Sequence, residues 1–108
     1  MNTTGAVRGI LSRNLSNEDY LYGVVKTIKK QLREWNPNYE VEFVKKEAYE
    51  LIIKNEGATY RIVISEEELD TLQKLSPYSL DRRIWSDLEQ QGLEIIRGKG
   101  NYIDNVFK

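Results

Sequence analysis

Apolar residues recur at helical spacing between Glu18 and Trp35. At about 100° per residue, Leu21, Val24, Val25, Ile28, Leu32 and Trp35 fall on one face. Ser16 or Asn17 can cap the start, Glu18 and Asp19 suit the positive end, and Asn36-Pro37-Asn38 stops the helix. Three runs then alternate with period two. In YEVEFVK, Tyr39, Val41 and Phe43 oppose Glu40 and Glu42. In AYELIIK, Tyr49, Leu51 and Ile53 oppose Glu50 and Lys54. In TYRIVIS, Tyr60, Ile62 and Ile64 oppose Arg61 and Val63. The links between the runs are too short for parallel crossovers, so an antiparallel meander is expected, with the first helix as its cover. On the opposite sheet face Val44, Ile52 and Val63 form a small apolar centre if the register brings them together.

The remainder reads as two short helices and a hairpin. Ser65-Glu66-Glu67-Glu68 is a capping-box sequence opening a helix with Leu69, Leu72 and Leu75. Leu80, Ile84, Trp85 and Leu88 predict a second helix over 79–91, ended by Gly92. LEIIR and YIDNVF, flanking Gly98-Lys99-Gly100-Asn101, then read as a C-terminal β-hairpin. Residues 1–16 lack periodicity and are expected to form a loosely ordered N-terminal arm. The fold class is therefore α+β in one domain over 17–108, the N-terminal amphipathic helix packed on a three-stranded antiparallel β-meander. The order helix, meander, short helices resembles that of small phage-encoded inhibitors, some anti-CRISPR proteins among them. This likeness lies in element order, with no shared motif.

Composition narrows the chemistry. The chain has 108 residues, a net charge of −1, no histidine and no cysteine. Disulfides, thiolate nucleophiles, imidazole catalysis and Cys- or His-ligated metals are thereby excluded. Glu66, Glu67, Glu68 and Asp70 supply carboxylates, but capping and the helix dipole account for an acidic first turn. Consecutive residues also fan around a helix instead of converging on one ion. No catalytic residue, metal or cofactor is expected, and a cytoplasmic location is. The resemblance in element order implies a regulatory or inhibitory protein of phage, bacterial or mobile-element origin.

Charge is uneven along the chain: residues 1–38 carry net +3, residues 39–75 net −4, and the rest are neutral. The positive segment supplies the candidate partner-binding residues. Tyr22, Lys26, Lys29, Lys30 and Arg33 form a stripe on the polar side of the first helix, suited to an acidic protein surface. The dipole explains cations near a helix C-terminus, but Lys26 lies two turns before it. The alternative is nucleic-acid binding through a winged-helix-like helix and hairpin, using Arg82, Arg83, Arg97 and Lys99. Asp81 and Asp87 on the same helix, and zero net charge over 79–108, weigh against phosphate contact. A protein partner is thus expected first and a nucleic acid second. Self-association is compatible with either, and no membrane contact is expected.

Overall fold

The Ser16 hydroxyl accepts a hydrogen bond from the Asp19 amide at 3.2 Å, satisfying one free donor at the start of the first helix. In the computed structural model, which describes residues 16–98 and 102–107, this helix (α1) runs Asn17–Trp35. The arm expected at 1–16 lies, apart from Ser16, outside the described residues. Asn36 closes α1 in an extended conformation, and its side-chain oxygen accepts from the Asn38 amide at 2.9 Å. This Asx turn swings the chain into the sheet.

Strands β1 (Glu40–Lys45), β2 (Tyr49–Asn55) and β3 (Ala58–Ile64) form an antiparallel sheet in the order β1-β2-β3. The β2–β3 turn is a two-residue one with positive φ at both Glu56 (48°) and Gly57 (87°). That geometry matches the right-handed twist of paired strands. Leu51, Ile53, Ile62 and Ile64 are buried on the inner face, as the alternation requires, with Tyr39 and Tyr49. Trp35, Val41, Phe43 and Tyr60, which belong to the same apolar set, are half-buried and pack against its margin.

The cover of the sheet is divided between helices. Helix α2 (Glu66–Leu75) starts at Ser65, whose hydroxyl accepts from the Glu68 amide at 3.1 Å. Helix α3 (Ser79–Gln90) follows, with Leu80, Ile84, Trp85 and Leu88 fully buried. Helix α1 touches β1, α2 and α3, while α3 lies against β3. These added neighbours bury Tyr20 and Gln31 as well as the predicted face of α1. At the end of α3 the amides of Gly92 and Leu93 donate to the carbonyls of Glu89 and Leu88, each at 3.0 Å. With Gly92 at φ 102° and Leu93 buried, this is a Schellman cap.

The C-terminal hairpin is a correction. Residues 93–98 form no strand, and Tyr102–Val106 is a short helix, α4. Ile103, Val106 and Phe107 are spaced i, i+3, i+4, so a single helical turn points all three at the core. Ile103 and Val106 are fully buried, whereas a strand would set those two on opposite faces. The expected hairpin tip, at 99–101, lies outside the described residues.

Candidate interaction surface

The outer side of α1 carries the predicted stripe. Tyr22, Lys26, Lys30 and Arg33 are exposed and Lys29 is partly so. Lys26 Nζ sits 5.5 Å from the Tyr22 ring centroid, a cation–π contact within one turn of helix. Arg33 Nε donates to the Tyr39 carbonyl at 3.3 Å. Among the described residues, none of these four cations is paired with a carboxylate.

Most cations elsewhere are treated differently. Lys45 pairs with Glu66 at 3.8 Å, Lys54 with Glu42 at 3.5 Å, Arg61 with Glu50 at 2.7 Å and Lys74 with Asp70 at 2.9 Å. The acidic start of α2 is consumed in the same way, since Glu66, Glu68 and Asp70 each turn to a different cation. Its carboxylates diverge, as expected of neighbours fanned around a helix.

The three described arginines of the nucleic-acid alternative are all engaged within the fold. Arg82 Nε donates to the Val106 carbonyl at 2.9 Å, tying α3 to α4. Arg83 bridges Glu68 at 2.9 Å and Asp87 at 3.0 Å. Burial by itself lowers the Arg83 pKa, but the hydrogen bonds to Glu68 and Asp87 together with their negative charge outweigh it and leave the value raised. Arg97 pairs with Glu89 at 2.9 Å, and its guanidinium lies 4.5 Å from the Phe107 ring centroid. Lys99 lies outside the described residues. Asp81, read from sequence as a surface charge, is fully buried and accepts a hydrogen bond from the Tyr102 hydroxyl. That hydroxyl in turn accepts from Trp85 Nε1 at 3.1 Å. An acidic residue at the third position of an amphipathic helix gives no sign of this role. Its partner Tyr102 is 21 residues away.

The outer face of the sheet is a mixture. In register, Val44 faces Glu50, Ile52 lies between Glu42 and Arg61, and Val63 faces Glu50. Every apolar residue there has a charged cross-strand neighbour, so the three do not meet in any row. Val63 is the most exposed of them, at 53%.

No helix among the described residues is long and apolar enough to cross a membrane. No protein-family model, curated protein or solved structure matches the chain.

Proposed function

We propose that this chain is a small non-enzymatic regulatory protein that binds an acidic protein partner through the outer face of α1. The observation that carries the reading is the set of cations on that face, Lys26, Lys29, Lys30 and Arg33, free of carboxylate partners among the described residues. Unpaired like charges on one helix repel one another, and a negative partner surface relieves that cost. The exposed Tyr22 at the stripe's end supplies contact area beside the charge. From Lys26 to Arg33 the stripe rises about 10 Å, the scale of one acidic patch or helix rather than an extended duplex. A sequence without His or Cys fits a binding role.

The test is a double reversal, Lys26→Glu with Lys30→Glu, on an exposed helix face where folding should be retained. Wild-type and variant are compared in lysate capture with and without nuclease, and the affinity of the captured protein is then measured. The expected result is a partner held by wild-type and lost by the variant, with binding that weakens as salt rises. A folded variant holding the same partner at unchanged affinity refutes the reading. Retention that disappears with nuclease moves it to nucleic acid.

A further inference from the structure

The two edges of the sheet are finished differently. On β3, Gln91 Nε2 donates to the Arg61 carbonyl at 2.9 Å and its Oε1 accepts from the Arg61 amide at 3.2 Å. A side-chain amide thus stands in for a neighbouring strand and blocks that edge. The same bonds fix the parity of the whole sheet. Both Arg61 backbone groups point outwards, so Arg61 and Ile52 are a non-hydrogen-bonded pair and Ile52 exchanges bonds with Glu42. By alternation, the backbone groups of Tyr39, Val41, Phe43 and Lys45 point away from β2. The Tyr39 carbonyl is taken by Arg33. From Val41 onward, no outward group of β1 has a hydrogen-bond partner among the described residues.

Side chains show the same open edge. Val41 and Phe43 share the inner face with Ile53, Leu51 and Ile62, which are at most 3% exposed, yet both remain half-buried.

We propose that a second copy of this chain occupies this edge, pairing β1 antiparallel with its twin about a two-fold axis at Phe43. Symmetry and side-chain parity leave few registers. Pairing Phe43 with Phe43 of the twin also sets Val41 against Lys45, so all three outward residues pair. It places Glu40 against Lys46 of the twin, twice by symmetry. Neither has an ion pair among the described residues; Lys54, the ladder neighbour of Glu40, goes instead to Glu42. A slip of one residue in the axis towards the strand's start sets Glu42 against Glu42, like charges that disfavour it. The opposite slip leaves Val41 unpaired. The favoured register joins two protomers into one six-stranded sheet and covers Phe43. Of the α1 stripe only Arg33, which holds the Tyr39 carbonyl, lies beside this contact. Lys26 and Lys30, the residues reversed to test the stripe, do not, so the two proposals are tested separately.

The experiment is sedimentation equilibrium of the intact protein up to about 500 µM, a range that detects weak pairing. Wild-type, Glu40→Lys, Lys46→Glu and the double exchange are compared, with circular dichroism to confirm folding. A dimer is expected, weakened about tenfold by either single reversal and restored by the exchange. Hydrogen exchange at the Val41, Phe43 and Lys45 amides should slow as concentration rises, while that at Glu40, Glu42 and Val44 is already slow. A monomer throughout overturns the proposal. So does a dimer in which the exchange gives no rescue or the odd-numbered amides stay unprotected.

Discussion

The polar face of α1 and the α3–α4 corner are both rich in cations, and they use them in opposite ways. At the corner, Arg82 holds a backbone carbonyl of α4, Arg83 joins two carboxylates and Arg97 lies over Phe107 beside Glu89. On α1, four cations stand along one face, and none is paired with a carboxylate among the described residues. The difference follows from the neighbours. Helix α3 is flanked by the acidic start of α2 and by α4, so its guanidinium groups reach acceptors and are worth more for being half-shielded. The outer side of α1 has no such neighbour among the described residues. Arginine content alone does not tell which cations are paired with carboxylates; the neighbours that the fold supplies do.

This contrast can be attacked most strongly at the corner. Tyr102→Phe removes the hydroxyl that donates to the buried Asp81 and accepts from Trp85, and should cost about 2–3 kcal/mol in urea unfolding. A loss below about 0.5 kcal/mol would mean that α4 is not held by this network. Arg83→Met should cost less, about 1–2 kcal/mol, because its partners keep partial access to water. The paired substitution Lys26→Glu with Lys30→Glu should change stability by no more than about 0.5 kcal/mol while abolishing partner binding. If it unfolds the protein as Tyr102→Phe does, the α1 face belongs to the fold and the contrast disappears. Salt sharpens it further: partner binding should fall steeply with ionic strength, while the melting temperature moves little.

The smallest effect is expected in alkali. Burial of the Tyr39 phenol raises its pKa above the usual 10.0, with weaker opposing and reinforcing contributions from Asn55, Tyr60 and Glu94. The folded state therefore holds this proton more tightly than the unfolded chain. The stabilisation is complete below pH 10 and is lost as pH rises through the folded-state value. Replacing Tyr39 by Phe should flatten that part of a stability–pH curve, which thermal melts across the alkaline range would measure.

Helix α1, the three strands and the caps at Ser16, Ser65 and Gly92 were legible because each is specified locally. Period 3.6 or 2, a hydroxyl before an acidic turn and a glycine after a helix all act within a few residues. The α1 stripe was legible for the same reason, since helical spacing alone assigns Tyr22, Lys26, Lys29, Lys30 and Arg33 to one side. The last segment was misread where local signals conflict. YIDNVF alternates well enough for a strand, but Ile103, Val106 and Phe107 also fit one helical turn. Packing against α3 chose between the two.

What the sequence determined by itself, then, is which residues share a face of each element and which chemistries are absent for want of His and Cys. Tertiary structure decided which of those faces stay available. It engaged Arg82, Arg83 and Arg97 within the fold by supplying acceptors from 4 to 24 residues away. It buried Asp81 against Tyr102, blocked the β3 edge with Gln91 and, among the described residues, left the outward groups of β1 from Val41 on without a partner. It also set Val44, Ile52 and Val63 among charged neighbours through a register no single strand encodes. The reason is range: periodicity and capping act between residues a few positions apart, whereas an ion pair or a strand edge depends on what the folded chain brings beside it.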